Sequence, residues 1–158
     1  MAADRETMVQ ILNSVPQQHP FRFIDDILEL DDEHIVGEYR FREDEYFYRG
    51  HFPNRPITPG VILVETMAQT GVVAFGLYLN MMQKRMPLEA TKELMTLFTL
   101  AEGVEFIGLV SPGERVIIRG QKVYFRMGSL KSKVSMERES GEIVSSGVLA
   151  GRGVPSQS

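Results

Sequence analysis

Hydrophobic and polar positions divide the chain into one long apolar stretch and several short alternating ones. Near the start, Met8, Val9, Ile11 and Leu12 recur at helical spacing, which predicts a short amphipathic helix over residues 4–14, stopped by Pro16. Residues 21–30 mix apolar and acidic side chains and predict a strand. From His34 to Phe41 the pattern alternates, with Ile35, Gly37, Tyr39 and Phe41 on one face and Val36, Glu38 and Arg40 on the other. The acidic Asp31-Asp32-Glu33 between the two runs reads as a solvated turn, so they form a hairpin.

Residues 43–58 are irregular and rich in aromatics, proline and glycine. A helix then runs from Pro59 to about Arg85, with Thr58 as N-cap and Pro59 at the first helical position, where no backbone N–H is needed. Apolar side chains occupy almost every position around it from Val61 to Met82, and a helix apolar nearly all round is a buried one. Strand patterns return over residues 94–106, 115–127, 129–139 and 142–151. Ser111-Pro112-Gly113-Glu114, Met127-Gly128-Ser129 and Glu139-Ser140-Gly141 separate them as turns, and residues 152–158 are expected to fray. One buried helix with five or six antiparallel strands predicts an α+β domain spanning residues 1–158, its curved sheet wrapped around the helix: the hot-dog fold. Open strand edges on so small a sheet favour pairing of two copies.

Composition narrows the chemistry. With no cysteine there is no disulfide, thiolate ligand or cysteine nucleophile. The three histidines, His19, His34 and His51, lack metal-site spacing, so no metal is expected, and His19 and His34 read as surface or turn residues. A net charge of −4 argues against a general nucleic-acid binder. Glu65, Gln69 and two glycines interrupt the apolar run, so no membrane span is read. Charges of both signs near Met1 do not resemble a signal peptide, which leaves the cytoplasm as the expected location.

The chemistry concentrates in Gly50-His51-Phe52-Pro53-Asn54-Arg55-Pro56-Ile57-Thr58-Pro59-Gly60-Val61, continuing through Glu65 to Gln69. Three prolines stiffen the loop and hold His51 at the mouth of the helix. The helix N-terminus carries partial positive charge, and Gly60 lets a ligand oxygen approach its N–H. Glu65 is a carboxyl among Val61, Ile62, Leu63, Val64, Met67 and Ala68, where burial raises its pKa and favours the proton-donating form. Gln69, four residues on, lies on the same helical face and can orient it. A neutral imidazole beside a protonated carboxyl runs acid–base chemistry near neutral pH. Those parts suit elimination of water beside a thioester: His51 takes the C2 proton, Gly60 N–H meets the enolate oxygen, and Glu65 protonates the departing hydroxyl. The methionines and aromatics over residues 67–82 read as core that can also line an acyl tunnel.

This motif, with the spacing of 14 residues from His51 to Glu65, resembles the 3-hydroxyacyl-(acyl-carrier-protein) dehydratases of type II fatty acid synthesis, whose acid is Glu where the isomerising relatives carry Asp. Pro20-Phe21 through Ile24-Asp25 and the Val110–Glu114 turn extend the resemblance over most of the chain. It implies a homodimer, with further assembly to a trimer of dimers open, in which His51 of one subunit faces Glu65 of the other. It also implies an acyl carrier protein as partner, no cofactor, and a role in fatty acid or related lipid and polyene synthesis. Glu65 stands roughly 9 Å along the helix from Pro59, which suits a cross-subunit pair. Departures from the family pattern are Gln17-Gln18-His19 in place of His-Arg-Tyr/Phe, Asp25-Asp26 in place of Asp-Arg, and Glu102-Gly103-Val104-Glu105 where basic groups are usual. Lys84, Arg85, Lys122, Arg126, Lys131 and Lys133 are the candidates for a replacement basic face. The rival readings are a hot-dog thioesterase and a non-catalytic subunit of a heterodimeric dehydratase, the latter disfavoured by the presence of both His51 and Glu65.

Overall fold

The computed structural model describes residues 2–84, 89 and 94–155. Helix α1 (Arg5–Ser14) starts at Asp4, whose carboxylate accepts the Thr7 N–H at 2.8 Å in an N-cap. Strands β1 (Asp26–Leu30) and β2 (His34–Arg40) form the expected hairpin. Asp31 Oδ1 closes its turn by accepting the N–H groups of Glu33 and His34. The first strand is shorter than its sequence pattern. Residues 21–23 lie outside the ladder, where the Phe21 carbonyl and Phe23 N–H bond a side chain of the central helix instead, while the Asp25 N–H donates to the Glu38 carbonyl beside β2.

That helix has three parts: α2 (Gly60–Ala68), a π-helical turn over Gln69–Ala74, and α3 (Phe75–Lys84). Its expected end at Arg85 lies outside the described residues. Thr58 is not its cap. Pro59 is, with no side-chain bond, because the buried Thr58 hydroxyl pairs with the Tyr48 phenol at 2.6 Å. The stretch Gly60–Gln83 is long and apolar enough to cross a membrane, but 72 % of its apolar 18-residue window is packed inside the fold, as in a core helix.

The remaining strands are β3 (Leu94–Phe106), β4 (Arg115–Arg126), β5 (Ser129–Arg138) and β6 (Ile143–Pro155). The six strands form one antiparallel sheet in the order β1-β2-β4-β5-β6-β3, wrapped around the central helix as the hot-dog fold requires. The frayed tail is corrected through Pro155. Residues 151–155 continue β6 and pair with Leu94–Phe98, whose apolar edge gives them a ladder to join. Residues 156–158 lie outside the description.

Sheet and helix touch through small residues. A Cβ on Gly71 would stand 2.6 Å from Val134, and one on Gly120 would stand 3.2 Å from the Gly71 Cα, so β4, β5 and the π turn meet at backbone distance. Around this contact lie two apolar clusters. One holds Phe23, Phe41, Leu63 and Met67, and the other Ile27, Ile35, Phe75 and Leu130. Each such side chain contributes roughly 1.5–3 kcal/mol by leaving water.

Candidate active site

The loop before the helix is built to hold its histidine. A short 3₁₀ turn (Tyr46–Arg49) leads into it, and the His51 N–H donates to the Phe47 carbonyl at 3.1 Å. The His51–Phe52 peptide is cis, and the two rings stack at 4.2 Å. Two bonds then tie His51 to Ile57: the Ile57 N–H donates to the His51 carbonyl, and the imidazole Nδ1 meets the Ile57 carbonyl oxygen at 2.8 Å. A carbonyl only accepts, so Nδ1 carries the proton and Nε2 presents a lone pair. That is the tautomer a general base needs.

Thr58 anchors the end of the loop by donating its N–H to the Val110 carbonyl. With its hydroxyl turned to Tyr48, no side chain caps the helix, and among the described residues the Gly60 N–H has no acceptor. A Cβ on Gly60 would lie 3.1 Å from the Phe106 ring. The Phe106 ring thus packs directly against the glycine, beside an unpaired donor at the positive end of a helix.

Glu65 sits one and a half turns further on, with burial pushing its carboxyl up from the ordinary carboxylate range. A hydrogen bond from Gln69 Nε2 to Glu65 Oε2, 2.9 Å long, works in the opposite direction. Gln69 is fully buried and spends its amide completely, also donating to the Phe21 carbonyl at 2.9 Å and accepting the Phe23 N–H at 2.6 Å. The π turn begins at this residue, and the widened helix meets the 21–23 segment here. The sequence reading paired Gln69 with Glu65 but missed the Phe21–Phe23 backbone. The available signal was an amide in an apolar helix, which must find partners when buried.

Glu65 also heads a cavity of about 200 Å³ that follows one stripe of the central helix through Ala68, Val72, Gly76, Leu77 and Asn80. Its far wall is β3 and the Met127-Gly128 turn. Gly151 keeps it open, since a Cβ there would stand 2.8 Å from Val72. His51 and Gly60 do not line this cavity, and of the four predicted site residues Glu65 and Gln69 are the pair joined by a hydrogen bond.

One of the family departures, Asp25-Asp26, has local partners. Asp25 binds the Arg42 guanidinium through both carboxylate oxygens, and Asp26 does the same with Arg5. Of the candidate basic face, Lys122 pairs with Glu33 and Arg126 stacks over Tyr124 at 4.4 Å. Lys131 and Lys133 alternate with the buried Leu130, Ser132 and Val134, and so share the outer face of the sheet. Arg85 and the Lys84 side chain lie outside the description.

Fold and site together define a hot-dog protein equipped for proton transfer at the head of an acyl-sized cavity. Residues 15–145 match the FabA-like domain, and the chain belongs to that family. A relative named 3-hydroxyacyl-(acyl-carrier-protein) dehydratase FabZ, from Acetivibrio thermocellus, is 37 % identical over 144 residues, which cover 90 % of this chain and 91 % of that one. Among solved structures, the dehydratase heterocomplex ApeI:P from Xenorhabdus doucetiae shares the fold with a TM-score of 0.70 at 13 % identity, over 90 % of this chain and 89 % of that one. A thioesterase from Haemophilus influenzae superimposes with a TM-score of 0.56 at 10 % identity, over 84 % and 80 % of the two chains.

Proposed function

We propose that this protein removes water from a 3-hydroxyacyl thioester carried by acyl carrier protein, giving the trans-2-enoyl thioester for fatty acid or related lipid synthesis. The observation that carries the reading is Glu65: a half-buried carboxyl with a raised pKa, oriented by Gln69 and facing a largely apolar cavity. The FabZ relatives supply the substrate class by name.

His51 Nε2 removes a C2 proton, and the thioester oxygen gathers the resulting charge at the Gly60 N–H. The C3–O bond then breaks as Glu65 gives its proton to the hydroxyl, which leaves as water. Passage of the proton from the imidazolium to the carboxylate through that water restores both groups. No electron is transferred to any carrier.

The working unit in this proposal is a homodimer with His51 of one subunit against Glu65 of the other. Three features support it. His51 does not reach the cavity headed by Glu65. Strand β3 is bonded on one side only and carries the exposed Met95, Leu97, Phe98 and Phe106. Val61, beside the unpaired helix N–H groups, is 75 % exposed.

The test follows enoyl-thioester hydration by loss of the conjugated chromophore. The expected result is turnover by the wild type and losses of about 10²–10⁴-fold in folded His51→Ala and Glu65→Gln. Release of free thiol without hydration would replace this reading with a thioesterase.

A further inference from the structure

Several core glycines of this fold are explained by a close neighbour. A Cβ on Gly37 would stand 2.8 Å from Thr70, one on Gly71 2.6 Å from Val134, and one on Gly151 2.8 Å from Val72. Gly76 is different. It lies in α3 between the buried Phe75 and Leu77, yet is itself partly open. Among the described residues, a Cβ there would meet only the Leu130 side chain, at 3.8 Å, an ordinary van der Waals contact. Its helical backbone is one that any residue adopts. Glycine is also the poorest helix former after proline, so it weakens α3 with no local reason to be there.

What a side chain at this position would occupy is the cavity. Gly76 lines it on the same side of the helix as Glu65, Ala68 and Val72, across from Leu94, Leu97 and Phe98 of β3. In the reaction above, C3 of the substrate sits at the Glu65 carboxyl, and the rest of the acyl chain follows this wall. Gly76 is no more than about 16 Å of helix past Glu65. An extended chain gains about 1.2 Å per bond, as an extended backbone does, so it draws level with Gly76 near its sixteenth carbon. A chain of about eight carbons ends near Ala68 and never meets the glycine.

We propose that Gly76 is a specificity-determining residue, which keeps the distal cavity open for a long acyl chain of about fourteen to sixteen carbons. The bare backbone leaves room for the last methylenes between α3 and β3. A side chain at this position fills that room and ends the cavity early. The inference rests on the dehydratase reading above and specifies its substrate.

The experiment measures hydration of 2-enoyl pantetheine thioesters from six to sixteen carbons, followed by loss of the enoyl chromophore. The wild type should favour the fourteen- or sixteen-carbon chain over the six-carbon chain by at least about tenfold in kcat/KM, through KM more than kcat. Gly76→Leu should lower that ratio by about tenfold or more. Gly76→Ala, the milder change, should lower it less while raising Tm by about 2–4 °C, because alanine suits a helix better. Sedimentation tests whether each variant keeps the wild-type assembly mass. A wild type that prefers short chains, or a ratio unmoved in both variants, overturns the assignment while leaving the dehydratase reading intact. So does an altered assembly mass with equal losses at every length, which would place Gly76 in packing between subunits. Hydration of no chain by the wild type removes both.

Discussion

Gln69 Nε2 donates to Glu65 Oε2 at 2.9 Å, while the rest of the same amide holds the backbone of Phe21 and Phe23. One side chain thus orients the acid and secures the strand that approaches it. Gln69→Leu leaves the Phe23 N–H and the Phe21 carbonyl unpaired, at about 1–3 kcal/mol each, and should lower Tm accordingly. It also removes the one interaction that lowers the Glu65 pKa. A general acid works while protonated, so the basic limb of the pH–rate profile should move to higher pH. A lower Tm with an unmoved limb would mean that Gln69 braces the segment only.

Mixing two inactive variants discriminates between sites within and between subunits. If His51 and Glu65 meet across a dimer, each His51→Ala/Glu65→Gln heterodimer contains one intact site. Co-refolding equal amounts should restore about a quarter of wild-type activity. A site contained in one chain predicts no restoration, since every site would then carry a mutation.

The Glu65 pKa, raised by burial, makes stability depend on pH with a definite sign. The folded state holds its proton at pH values where the unfolded chain has released it. Stability is therefore fully present below the ordinary glutamate range and falls as pH rises through the folded-state pKa. Glu65→Gln removes this penalty, so the Tm of the variant relative to the wild type should climb as pH rises from about 4. A Tm difference flat across that range would contradict the burial described here.

Met127 occupies the first corner of the β4–β5 hairpin with φ of 53°, followed by Gly128 at 76°, between the paired Arg126 and Ser129. This is a two-residue turn that favours Asn-Gly. Met127→Asn should stabilise the fold by about 1 kcal/mol, read as a shift in denaturant midpoint without a change in slope.

Much of this architecture is legible in the sequence because periodicity reports burial directly. The alternation of Ile35, Gly37, Tyr39 and Phe41 gives the inner face of β2, and the all-round apolar segment after Pro59 gives the core helix. Long-range bonds explain the misses. The preference of Thr58 for capping is overridden by Tyr48, ten residues earlier, which needs a partner for a buried phenol. The strand-like residues 21–23 give their backbone bonds to Gln69, more than forty residues away. The π turn leaves no periodic trace, since it arises where distant elements pack. Local pattern nominates His51, Gly60, Glu65 and Gln69 as candidates, and helical spacing pairs Gln69 with Glu65, which the hydrogen bond between them matches.

The sheet order has a consequence for how the protein is made. Strand β3 bonds only to β6, and its partners lie some forty to sixty residues later in the chain. As translation proceeds, β3 emerges with no neighbour while β4 and β5 are still being added. Its exposed Met95, Leu97, Phe98 and Phe106 remain a sticky, unsatisfied edge throughout that interval. The wall of the cavity beside Glu65 and the outer edge of the sheet are therefore completed together, and late. Nascent chains lacking β6 are the species most exposed to aggregation.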